Sequence, residues 1–310
     1  MKRNFHEPRV LRLQSSVGVC GVNYADDVKA LQELMMKAAG YQTATGRSLK
    51  VDGICNNETK EAIIWYQRLL TLSRSGLVQP FDQWFIEALK NASQPEWRPR
   101  ITSGPLHVRE AQFTFDNEGT DYITATDPFR PHPYPWFSRI LHWPHSAASG
   151  VTLGRGYDMG NRSTGEIFAT LRQAGIEEYK AILASKAAFL KGREAASFVK
   201  VYGPLFGEIT HQQQIRLFEI AIQFYISEAK RIFNGRKARM MSAISWEKMR
   251  VRLKDIYIDS LYQGCESAGE FARLILLDDL KSVRLYLKTD RAQMNSHGRN
   301  LKRLQYINGL

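Results

Sequence analysis

Cysteine is scarce in this chain: Cys20, Cys55 and Cys265 are the only three among 310 residues. They are widely spread and odd in number, so they form neither a metal-ligand spacing nor a disulfide framework. Three free thiols, in a chain made in a reducing compartment, are the expectation. Long apolar runs are absent too. Nothing approaches the ~18 consecutive apolar residues of a membrane span, which argues against stable membrane insertion. Residues 1–10 contain Lys2, Arg3 and Arg9 but no continuous apolar core of a secretory signal, so synthesis in the cytoplasm without a leader is expected. Acidic side chains are outnumbered: 31 Asp and Glu face 43 Lys and Arg, a formal net charge of +12. An anionic partner or environment follows. Nucleic acid is disfavoured, because no finger, RNP-type strand or basic-region heptad is present. The densest basic cluster, Arg236-Lys237-Ala238-Arg239, suits a solvated helix end.

Proline and small polar residues concentrate in one place, Ala92 to Pro105, which reads as an extended linker. The reading divides the chain into an arm (1–17), a first block (18–92), a linker (93–105) and a larger block (106–310). In the first block Val28, Leu31, Leu34 and Met35 recur at helical spacing, and Gly40 stops that helix. A second amphipathic stretch runs from Thr59 with Ala62, Ile63, Tyr66 and Leu69. A third carries Trp84, Phe85, Ala88 and Leu89. The larger block opens with Phe113 to Tyr122, continues through a loop with Pro128, Pro131, Pro133 and Pro135, and reaches a glycine-punctuated segment, Gly150 to Gly160. Val151-Thr152-Leu153 reads as a short strand. Beyond Ser163 four helical stripes follow: Ile167–Leu171–Ala174, ending at Gly175; Ile215–Phe218–Ile222–Tyr225; Leu253–Ile256–Tyr257–Leu261, ending near Gly264; and Phe271–Leu274–Leu277–Leu280. The fold class expected is mainly α with a small β-element, plus an N-terminal three-helix domain.

The chemistry-bearing residues gather around the glycine segment. Thr152 and Asp158 lie six residues apart on it, and Glu118 lies upstream on a separate element. Two carboxyl groups in unlike environments suit glycosidic-bond hydrolysis, one held protonated and one ionised. Simpler roles compete: Glu118-Gly119 as a surface turn, Asp158 as a cap or brace, Thr152 as an ordinary strand residue. Arg155 and Tyr157 are candidates for lining a substrate groove, or else a surface arginine and a core tyrosine. His132, His142 and His145 lack metal-ligand spacing, so no metal or other cofactor is expected.

The first block resembles the small three-helix peptidoglycan-binding module found beside many wall hydrolases. The resemblance rests on Val28, Leu31-Gln32, Leu34, Gly40-Tyr41, Val51-Asp52-Gly53, Thr59, Ala62, Tyr66-Gln67, Trp84 and Leu89. Cys55 stands where that module carries an aromatic residue, and Asn56 where it carries glycine; Asn tolerates the left-handed conformation such a turn needs. Leu31, Tyr66 and Trp84 are expected to fill the module's core, leaving binding to loops. The larger block resembles phage-type lysozymes, nearest to the pesticin-like branch. Here the resemblance rests on Glu118-Gly119 and Ser149 to Asp158, with weaker support from Ile209 to Gln213 and Asp259 to Gly264. It implies an α+β, lysozyme-like fold and a muramidase cutting between N-acetylmuramic acid and N-acetylglucosamine. Glu118 would protonate the leaving oxygen, Asp158 would stay ionised, and Thr152 would hold the attacking water. It further implies peptidoglycan as the partner of a monomer acting in the periplasm. The chain would arrive there by holin-type release, as an endolysin, or by contact-dependent injection, as an antibacterial effector countered by an immunity protein. A non-catalytic wall-binding component and a lytic transglycosylase are the alternatives.

Overall fold

A computed structural model describes residues 11–38, 40–94, 106–119, 138–238, 244–264, 268–289 and 297–309. Most of the expected linker, the four prolines of the expected loop, His132, Arg239 and Cys265 lie outside them. The described chain is mainly helical, with two small antiparallel strand pairs. It divides into two compact units. The first comprises Met1–Ser103, Asp121–Gly154 and Asp158–Gln213; the second comprises Gly104–Thr120, Arg155–Tyr157 and Gln214–Leu310.

The first unit opens with β1 (Val17–Gly18), which pairs with β2 (Leu77–Val78) in antiparallel register, Val17 opposite Val78. Between and after them come α1 (Ala25–Lys37), the short α2 (Tyr41–Thr45), α3 (Asn57–Leu70) and α4 (Gln83–Ser93). Each long helix buries one stripe: Val28, Leu31 and Met35; Ala62, Ile63 and Tyr66; Phe85, Ala88 and Leu89. The Tyr66 hydroxyl, deep in this core, donates to the carbonyls at the end of α1, Met35 O at 2.9 Å and Ala38 O at 3.2 Å. That satisfies a buried hydroxyl and two orphaned helix-end acceptors together. The fully buried Gln32 pins the loop before α3. Its carbonyl accepts from the Asp52 and Gly53 amides, and its amide donates to Ile54 O and Thr59 Oγ1.

Two expectations for this block change. Asn56 is extended (φ −80°, ψ −178°) rather than left-handed, and it caps α3 by accepting from the Thr59 amide at 2.9 Å. The left-handed residue of that turn is Gly53, at φ +76°. Trp84 is half-buried, not a core residue. It stacks on Tyr179 of α7 (Glu178–Ser185), with ring centroids 5.2 Å apart. The rest of the unit is α6 (Thr164–Gln173), α7 and α8 (Gly192–Phe206); α3 packs on α7 and α4 on α8. The Ser163 hydroxyl caps α6, and Gly175, at φ +81°, follows its end. In α7 the run from Lys180 to Ser185 is buried on all sides: Ala181 to Ala184 are apolar, and the polar ends are satisfied, Lys180 Nζ donating to Glu208 O and the Ser185 hydroxyl to Ile182 O, each at 2.8 Å.

The second unit contains α5 (Gln112–Asn117), most of α9 (His211–Lys237), α10 (Val251–Tyr262), α11 (Ala268–Leu276), α12 (Leu280–Thr289) and α13 (His297–Asn308). Phe115, Phe218, Ile222, Phe233, Tyr257 and Phe271 form its core. The first two residues of the basic cluster close α9: Arg236 and Lys237 occupy the last turn, where cations complement the helix dipole. The stripe Phe271–Leu280 is two helices rather than one. Asp278 is left-handed (φ 49°), and Asp279 opens α12 by accepting from the Lys281 amide at 2.9 Å and the Ser282 hydroxyl at 2.6 Å. Leu277 is accordingly 45% exposed.

Candidate active site

Glu118 follows the last turn of α5, with its side chain largely enclosed by the second unit. Arg299 of α13 holds it: Nη2 donates to Glu118 Oε1 at 2.6 Å. The same nitrogen donates to Asp259 Oδ1 of α10 at 2.5 Å, Nε donates to Asp259 Oδ2 at 3.0 Å, and Nη1 donates to Asn117 O at 2.5 Å. Arg303, one turn further along α13, donates through Nε to Asp259 Oδ2 at 2.8 Å and also meets Asn300 Oδ1 and Gln263 Oε1. Asp259 and Arg303 have no exposed side-chain surface. Burial pushes the Glu118 carboxyl above its ordinary range; Arg299 pulls it back toward ionisation and Asp259 opposes that pull. The result is a carboxyl group biased toward holding a proton in spite of a cation at hydrogen-bond distance.

The turn of the glycine segment belongs to the same unit and is built around this group. Arg155 is buried, and its guanidinium braces the chain on either side of Glu118. It donates to Phe115 O at 3.0 Å and Gly119 O at 2.6 Å, meets Gln214 Oε1 at 3.1 Å, and lies 4.4 Å from the centre of the Phe115 ring. Tyr262 of α10 donates to Arg155 O at 2.5 Å. Gly156, at φ +91°, then passes so close that a β-carbon on it would stand 2.8 Å from Tyr262 Oη and 3.3 Å from Glu118 Oε2. Only glycine combines that conformation with that approach. Tyr157 is 2% exposed, so neither expected groove residue presents its side chain to solvent.

Thr152 and Asp158 belong to the first unit. Strand β3 (Thr152–Leu153) and β4 (Tyr157–Asp158) make the small hairpin, and His142 bridges to Thr152 through backbone hydrogen bonds of 2.8 and 2.9 Å. Thr152 is buried and its hydroxyl lies 3.3 Å from Gly150 O. The Asp158 carboxylate accepts from the Gly150 amide at 3.1 Å and the Gly160 amide at 2.7 Å, and so ties the two ends of the glycine segment together. A β-carbon on Gly150 would lie 2.5 Å from Asp158 Oδ1, so the brace requires glycine there. His142 is buried in the same neighbourhood, with Nδ1 3.0 Å from Ile140 O. Desolvation lowers its pKa to about 4, with Ile140 O and Asp158 acting in the opposite sense. The folded state therefore keeps this imidazole neutral while the unfolded chain takes up a proton below ~6.5. Stability should fall as pH drops from about 6.5 toward 4, by at most ~1.4 kcal/mol per pH unit. Urea unfolding at stepped pH tests this, and the slope over that interval should flatten in His142→Phe.

An apolar recess of about 270 Å³ also lies in the first unit, lined by Ile140, Leu141, Trp143, Val199 and the Lys200 stem; it holds none of the candidate site residues. Among the described residues no group of three or more His, Cys, Asp or Glu is arranged to hold a metal ion, and no helix is long and apolar enough to cross a membrane.

Residues 111–296 match a protein family described as a domain of unknown function, DUF8812. The chain belongs to the DUF8812 family. A comparison with curated proteins finds no match. The DUF8812 region contains Glu118, the glycine segment and Asp259, while Arg299 and Arg303 lie just beyond its end. Those two arginines are the functional candidates that sequence reading missed. A signal was present: Arg299, Arg303, Leu304 and Ile307 share one face of α13, which places two charges on a buried stripe.

Proposed function

We propose that this DUF8812 protein is a peptidoglycan-degrading muramidase of lysozyme-like fold, with Glu118 as its general acid. One observation carries the reading: a glutamate biased toward its protonated form, set beside a backbone that only glycine can supply. Asp158 is the anion of this reading and Thr152 the residue that holds water. Arg155 serves as a brace for the acid rather than as a sugar contact, given its buried hydrogen bonds. Peptidoglycan is the partner, the periplasm the place of action, and an immunity protein the expected counterpart if the chain is injected between bacteria. The net charge of +12 suits an anionic wall.

A second reading, a lytic transglycosylase, is favoured by one feature. Such enzymes need a catalytic glutamate and no partner carboxylate, and the Asp158 oxygens are already engaged by backbone amides. Digestion of purified sacculi followed by mass spectrometry separates the readings. Hydrolysis leaves reducing muramic acid ends, and a transglycosylase leaves anhydro ends one water lighter. Intact sacculi after prolonged incubation would indicate a wall-binding component instead.

A further inference from the structure

The geometry points to Arg299 as a positioning residue that fixes which oxygen of Glu118 carries the transferable proton. The inference rests on the reading of Glu118 as an acid. The argument is one of hydrogen-bond capacity. Arg299 offers only donors, so the oxygen it touches must accept. That oxygen is Oε1, 2.6 Å from Nη2. A proton on Glu118 is thereby directed to Oε2, the oxygen that faces Gly156, where a β-carbon would stand 3.3 Å away. Arg299 itself has little freedom to follow a different oxygen. Its Nε and Nη2 are held by Asp259 and its Nη1 by Asn117 O, so the planar fork is locked before any substrate arrives.

The same arrangement serves the step after transfer. The proton leaves Oε2 for the glycosidic oxygen, the electron pair of the broken O–H bond stays on Glu118, and the new carboxylate charge meets a guanidinium already in contact. Nothing must move to receive it. Asp259 balances the device: together with burial it opposes the pull of Arg299 toward the ionised carboxylate. Among the described residues, the charged and titratable groups around Glu118 are Arg299 and Arg303 from α13, Asp259 and Tyr262 from α10, and Arg155 from the hairpin turn.

The test follows the side-chain carboxyl carbon of Glu118 by NMR in the full chain labelled with ¹³C-glutamate, the resonance being assigned by its loss in Glu118→Gln. Removing the cation in Arg299→Met should raise the Glu118 titration midpoint by at least about one pH unit, the size expected for a charge at this distance. Arg299→Lys keeps the charge without the fork and should give a smaller rise. Asp259→Asn should lower the midpoint. Should the Met variant fail to fold, Arg299→Lys, which keeps the charge, carries the comparison. A midpoint that is the same in wild type and every folded variant overturns the inference. The measurement is independent of wall digestion. Fragments released at the wild-type rate by Glu118→Gln would sink the parent reading, whatever the NMR titration shows.

Discussion

Glu118→Gln is expected to lower the release of fragments from purified sacculi by about 10²–10⁴-fold, the usual contribution of a positioned general acid. The fold should be untouched. Glutamine keeps the shape of the side chain, and its amide oxygen can accept from Arg299 where Glu118 Oε1 does now, 2.6 Å from Nη2. It also matches the neutral state toward which burial already drives the glutamate, so Asp259 continues to balance Arg299. The variant therefore separates chemistry from structure: thermal unfolding should be nearly unchanged while catalysis is lost. The wild-type pH profile adds a second check of the same residue. An acid works only while protonated, so the rate should fall as pH rises through the Glu118 midpoint. Because burial raises that midpoint, the alkaline limb should lie above the ordinary carboxylate range. Full activity in the glutamine variant would remove Glu118 from the mechanism and leave its raised proton affinity as a by-product of burial.

What could be read from the sequence was local. Helix stripes such as Val28–Leu31–Met35 and Leu253–Ile256–Tyr257 appear where their periodicity put them, because a single apolar face on an α-helix has one way to be buried. The hairpin around Thr152 and Asp158 was marked by glycines, and the structure gives two of them a steric reason in Gly150 and Gly156. What escaped was long-range or set by a few side-chain bonds. Arg299 meets Glu118 across 181 residues of sequence, and no local pattern announces that pairing. Arg155 was expected to line a substrate groove or to be a surface charge, because arginine is usually exposed; it is buried because four oxygen and aromatic partners await it. The break between α11 and α12 turned on Asp278 and Asp279, whose side chains and backbone override an apolar spacing that continues through them. Trp84 passed for core because periodicity marks a buried face without saying what buries it, and here the answer is Tyr179.

Asp259→Asn should be the most damaging single change outside the acid itself. Asp259 is the shared anion of two arginines, Arg303 fully buried and Arg299 largely so. It accepts from Arg299 at 2.5 and 3.0 Å and from Arg303 at 2.8 Å. Asparagine preserves the volume but removes the charge. Arg299 would keep Glu118, while Arg303, with no exposed surface, would lose the carboxylate 2.7 Å from its Nη2, and Asn300 and Gln263 offer it neutral oxygens in place of a charge. Leaving one member of a buried pair uncompensated costs about 3–5 kcal/mol, a large share of the ~5–15 kcal/mol that holds a protein folded. Chemical denaturation reads this directly, and a loss under about 1 kcal/mol would mean that water or a rearranged partner already screens the pair. The companion variant joins Asp259→Leu to Arg303→Leu. It removes both charges and their desolvation cost together, so it should lose less stability than Asp259→Asn alone. It also strips Arg299 of its second carboxylate. If the double variant is folded yet its wall digestion is impaired, Asp259 matters for how it holds Arg299 against Glu118 and not only for how it holds the helices.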